Sequence, residues 1–158
     1  MKKIFLLDNL IQSDSKPDIL ISDIKNNGST IVDLINSFFS KSYDVNFIKS
    51  EDKKDFLNNL DIHNNSIIWP LNIFCKNLNE IELIFKRISL SIYDVRLTPR
   101  KLEIGNFDYK DFKIDFGENN PNYIYYKCFN EESLYSEPLK IELNSLVFFS
   151  SERSYNSL

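Results

Sequence analysis

The spacing of apolar residues changes at Arg96, and that change constrains the fold more than any single motif. Before Arg96, Leu78, Ile81, Ile84, Phe85, Ile88 and Ile92 recur at i, i+3, i+4 and i+7, the spacing of an amphipathic helix. From Arg96 onward the period is two. Phe107, Tyr109, Phe112, Ile114 and Phe116 alternate with Asp108, Lys110, Lys113 and Asp115, and a slip at Lys110-Asp111 reads as a bulge. Tyr123 to Phe129 is a second aromatic strand, after the turn Gly117-Glu118-Asn119-Asn120-Pro121. Leu139, Ile141 and Leu143 alternate with Lys140 and Glu142 in a third strand, and Leu146 to Phe149 continues as an apolar run. Helices first and strands second predict an α+β domain, with N-terminal helices packed on a small C-terminal antiparallel β-sheet.

The helical half has its own punctuation. A helix follows Gly28, capped by Ser29 or Thr30, with Asp33 in its first turn and Ile31, Leu34, Ile35 and Phe38 on one face. Ile19 to Ile24 suits a shorter helix before it. Ser50-Glu51-Asp52 starts another, through Leu60, with Phe56, Leu57 and Leu60 facing inward. Ile67-Ile68-Trp69-Pro70-Leu71 forms an apolar link, and Asn77 with Glu80 has capping-box spacing at the head of the main helix. Pro99 supports an end to that helix near Tyr93. Residues 1–17 read as a docking arm, an apolar patch from Ile4 to Leu10 tethered by Gln12-Ser13-Asp14-Ser15-Lys16 and Pro17. Residues 18–158 form the single domain, since 158 residues suffice for one core.

Composition narrows the function classes. A net charge of −4 and a pI near 5.1, with basic residues scattered, argue against a non-specific grip on nucleic acid or anionic lipid. Three glycines leave little material for a phosphate cradle. The one histidine, His63, sits in a polar stretch without an orienting partner or nucleophile beside it. Cys75 and Cys128 are isolated and lack metal or redox spacing. The apolar run after Lys2-Lys3 is cut by Asp8, too short for a signal core, and no membrane-length apolar run occurs. The expectation is a cytoplasmic protein that is not an enzyme, without cofactor, metal or small-molecule substrate.

Thirteen Phe and eight Tyr are many for this size, and aromatics are rich at protein interfaces as well as in cores. Asp94-Val95-Arg96-Leu97, at the exit of the main helix, places an acid and an arginine two residues apart at a corner. Taken alone, the pair is a surface ion pair of under about 1 kcal/mol.

In company, it resembles the Glu-Pro-Arg-Leu signature of the TssE-like family, the baseplate wedge proteins of type VI secretion systems and contractile phage tails. Leu6-Leu7-Asp8-Asn9-Leu10 is similar to that family's opening Leu-Leu-Asp-Arg-Leu segment. Val32-Asp33-Leu34-Ile35-Asn36-Ser37 is similar to its helix, and Trp69-Pro70-Leu71-Asn72 stands where its Tyr-Gly-Leu-Pro element falls. Asp94 is one methylene shorter than the family's Glu, and Val95 replaces its proline. The resemblance implies a scaffold that links TssF-like and TssG-like wedge subunits to the sheath and starts sheath assembly. Asp94, Arg96 and Leu97, with Leu6, Leu7 and Leu10 of the arm, are then the partner-binding residues. The rival reading is a small acidic binding protein, such as an immunity protein or a secretion chaperone.

Overall fold

A computed structural model describes residues 2–13, 17–60, 65–88, 94–105, 123–128 and 145–156. The strands expected over 107–116 and 139–143, the loop around His63 and the helix end near Tyr93 lie outside the described residues. Among the described residues the framework is a six-stranded mixed sheet in the order β10-β9-β11-β7-β1-β6. Its strands are β1 (Lys2–Leu7), β6 (Tyr43–Ile48), β7 (Ser66–Pro70), β9 (Asp94–Leu97), β10 (Leu102–Gly105) and β11 (Ile124–Lys127). β1 pairs in parallel with both β6 and β7, whereas β7–β11, β11–β9 and β9–β10 are antiparallel.

This arrangement corrects the α+β expectation: helices do not sit N-terminally on a small C-terminal sheet. The sheet draws strands from both ends of the chain, and a few short helices cover it. It also corrects the docking arm, because Lys2–Leu7 is an interior strand with Ile4 and Leu6 at 0% exposure. The physical reason is common to both errors. A strand buried on both faces reads as a continuous apolar run without alternation. Ile4 to Leu7 and Ile67 to Pro70 are such runs, so neither carries the period-two signature.

The helices follow from handedness. The chain passes from β1 to β6 through α1 (Ile31–Phe39), then back across β1 to β7 through α2 (Lys53–Asn58). Successive crossovers that move in opposite directions share the right hand only if they lie on opposite faces. Accordingly, Ile31, Ile35 and Phe39 of α1 pack with Ile4, Leu6, Ile67 and Trp69, while Phe56 and Leu57 of α2 pack with Phe5, Leu7 and Ile68. On the first face α3 (Leu78–Ile88) adds Ile81, Phe85 and Ile88. Phe39, Tyr43, Trp69 and Phe85 form an aromatic cluster there, with ring centroids 5.5–6.2 Å apart.

Local signals hold where they are strong. Thr30 caps α1 through a full capping box, its hydroxyl accepting from Asp33 N–H at 3.2 Å while Asp33 Oδ2 accepts from Thr30 N–H at 3.3 Å. Asn77 Oδ1 accepts from Glu80 N–H at 3.2 Å at the head of α3. Ile19 to Ile24 is not a helix throughout: β3 (Ile19–Leu20) pairs with β2 (Leu10–Ile11), and a 3-10 turn follows over Ile21–Asp23. β4 (Lys25–Asn26) and β5 (Ser29–Thr30) form a hairpin whose connecting pair, Asn27 and Gly28, has φ of 53° and 81°. Positive φ at both central residues is what a two-residue hairpin turn of that hand requires, and Asn-Gly tolerates it. β8 (Ile73–Cys75) pairs with β12 (Leu146–Phe148), and α4 (Glu152–Asn156) follows, its Tyr155 ring 4.8 Å from that of Phe149.

Candidate partner-binding site

The carboxyl ends of β1 and β6 lie side by side, where open α/β sheets commonly receive ligands. β1 ends in Leu7, and the next side chain, Asp8, is only 2% exposed. Asp8 Oδ1 accepts from the N–H groups of Asn9 at 2.9 Å and Ser22 at 3.1 Å, and Oδ2 accepts from the Ser22 hydroxyl at 2.6 Å. A carboxylate has about four lone-pair positions, so these bonds occupy most of its capacity and fasten the β2–β3 hairpin to the end of the sheet. Lys53 Nζ donates to Asn9 Oδ1 at 3.1 Å. Burial holds the Lys53 ammonium below its ordinary pKa, with the nearby Asp8 carboxylate acting in the opposite direction.

Over this polar floor opens a cleft of about 510 Å³. Leu10, Leu20 and Phe47 make its apolar walls, Asp8 and Ser22 belong to its floor, and Lys49, Ser50 and Glu51 form the remaining side. Leu10 is 48% exposed and Phe47 40% exposed. Phe47 is exposed because β6 is the last strand of the sheet among the described residues and α1 covers Tyr43 and Val45 rather than the strand's far end. A second cleft, of about 660 Å³, shares Leu10 and Leu20, and Asp18, Asp23, Lys25 and Glu152 are the charged residues of its lining.

The residues expected to bind a partner are scattered by the fold. Leu6, Leu7 and Leu97 are buried at 0%, 2% and 0% exposure, so they belong to the core and not to a contact surface. Leu10 does reach the surface, at the cleft. Asp94 and Arg96 lie on β9, three positions from β1 across the sheet, and are not at an exposed corner. Two residues apart on a strand, they share one face, and both are half-buried.

Their surroundings are polar and aromatic. Asp94 accepts from the Tyr125 hydroxyl through Oδ2 and from Cys128 N–H at 2.8 Å through Oδ1. The Arg96 guanidinium lies over the Tyr123 ring, 5.1 Å from its centroid, a cation–π arrangement. Lys127 is fully buried and donates to the Leu60 carbonyl. Burial raises the Asp94 pKa despite these hydrogen bonds and the charges of Lys127 and Arg96. Burial and the Asp94 charge likewise raise the Tyr125 phenol.

Phe47 and the Asp8–Ser22 contact were missed from sequence. Tyr43, Val45 and Phe47 alternate with Asp44 and Asn46, a period-two signal that was available. Asp8 left none, because a buried acid is indistinguishable from a loop acid until its donors are in place. No protein-family model matches the chain, and no curated protein or solved structure does either. Among the described residues no helix is long and apolar enough to cross a membrane.

Proposed function

We propose that the protein is a non-catalytic binding component that holds a protein partner with the β6 side of its sheet. One observation carries this reading: two large apolar side chains, Leu10 and Phe47, stand exposed on the walls of a cleft beside an end strand of the sheet. An aromatic and aliphatic anchor pair over a polar floor matches the anatomy of protein interfaces. The end strand supports it as well, since a partner's extended segment adds to such an edge through backbone hydrogen bonds.

A narrower reading makes this the baseplate component of a contractile injection machine, linking TssF-like and TssG-like wedge subunits to the sheath. It rests on the sequence resemblance, and the end strand favours it because sheath subunits extend by strand addition in that scheme. Under either reading, Phe47 and Leu10 are the residues to test. Phe47→Lys and Leu10→Ser, separately and together, should leave the melting temperature nearly unchanged, as both side chains already face water. Co-purification with sheath and wedge subunits should fall at least tenfold in the double variant. Undiminished co-purification would remove the cleft from the interface, and no capture by the wild-type protein would end the baseplate reading. Capture of a toxin or effector instead would favour the immunity-protein or chaperone alternative.

A further inference from the structure

On the α1 face, away from the cleft of β6, a separate cavity of about 210 Å³ opens between α1 and the β8 ribbon. α1 contributes Ile31, Leu34 and Ile35, which fall on one side of the helix by their spacing of three and four. Trp69 and Phe74 line it from the sheet and the ribbon, and Leu78 closes it at the start of α3. Trp69 lies beneath the cavity floor, fully buried, with its indole N–H donating to the Ile73 carbonyl at 2.9 Å. Leu34, 44% exposed, marks the mouth. The lining also includes Cys75, whose thiol lies 3.2 Å from the Asn77 carbonyl, and one charged side chain, the exposed Lys76. Glu80, in the first turn of α3, accepts from the Ser145 hydroxyl at 3.1 Å.

We infer that this cavity is a binding site for a small amphipathic carboxylate, its apolar body against Leu34, Phe74 and Leu78 above the buried Trp69 and its charge at Lys76. The argument is one of size, lining and sign. Apolar cavities of about 150 Å³ take up benzene because they offer dispersion contacts and no hydrogen bonds to water. At roughly 30 Å³ for each water-sized unit, this one accommodates an apolar body of about seven heavy atoms. A ligand that size carries few polar groups, and Lys76, the one cation that the described residues place in the lining, selects a negative one over a positive one. The site is independent of the proposed β6 interface and stands or falls apart from it.

Trp69 is the only tryptophan in the chain, which gives the site its own reporter. Titration of the intact protein with heptanoate, followed by tryptophan emission, should give a saturable change. Heptylammonium should bind at least tenfold more weakly. Leu34→Phe should abolish the change by filling the mouth, and it should fold normally because Leu34 is already half in water. Lys76→Glu, on an exposed side chain, should weaken heptanoate at least tenfold and bring the ammonium up to match it or surpass it. Absence of saturation with heptanoate, undiminished binding in a folded Leu34→Phe variant, or equal binding of anion and cation to wild type would each overturn the proposal.

Discussion

The two halves of the sheet solve burial in different ways. In the parallel half, β6-β1-β7, the central strand is covered by α1 on one face and α2 on the other, and Ile4 to Leu7 are all at or below 5% exposure. In the antiparallel half, β11-β9-β10, one face is apolar, through Val95, Leu97, Ile124 and Tyr126. The other face holds Asp94, Arg96, Tyr125 and Lys127: Asp94 accepts from the Tyr125 hydroxyl, Lys127 donates to the Leu60 carbonyl and the Arg96 guanidinium stacks on Tyr123. The parallel half is therefore stabilised by area removed from water, the antiparallel half partly by polar groups satisfying one another. Damage should scale accordingly.

The largest effect belongs to β1. Removing residues 2–7 takes out the strand that both β6 and β7 pair with, and the protein should fail to fold, without cooperative melting by circular dichroism. A cooperative transition in the truncated chain would show that the parallel half is not the framework. A smaller loss is expected from Lys127→Met, which keeps the volume of the stem but leaves the Leu60 carbonyl without its ammonium donor. Urea unfolding should show about 1–3 kcal/mol lost. A stabilised variant would mean that hydrophobic replacement outweighs the polar network, as at some buried ion pairs.

The finest distinction is in pH. Because the folded-state pKa of Asp94 lies above its unfolded value, the folded protein binds the proton more tightly. Its contribution is thus fully present below about pH 3.9, the ordinary aspartate value, and is lost as pH rises through the raised folded value. The stability of wild type relative to Asp94→Asn should decline over that window, opposite to the behaviour of a salt-bridged surface carboxylate. Urea midpoints measured from acid to neutral pH decide it, and a difference that grows with pH would place the Asp94 carboxylate in a stabilising, well-compensated site.

The same contrast explains what could be read in advance. The caps of α1 and α3 were legible at Thr30-Asp33 and Asn77-Glu80 because those bonds are local. Helical spacing turns Phe56, Leu57 and Leu60 inward, and all three are buried. Ile4 to Leu7 and Ile67 to Pro70 were not legible as strands, since burial on two faces erases alternation. In sequence Asp94 and Arg96 read as a corner because the helical pattern before them dominates. Their partners, Tyr123, Tyr125, Lys127 and Cys128, are distant in sequence. Of the candidate cleft, only Leu10 was anticipated, and for a different reason.

The position of β1 has a consequence for synthesis. Its partners on either side begin at Tyr43 and Ser66. At about 5–20 residues per second, β1 leaves the ribosome roughly 2–8 s before the first of them and 3–13 s before the second. During that interval Ile4-Phe5-Leu6-Leu7 has neither neighbour and must stay unpaired in the nascent chain. Such a segment is a natural client for a ribosome-associated chaperone, and the yield of folded protein should respond to translation speed across residues 8–66.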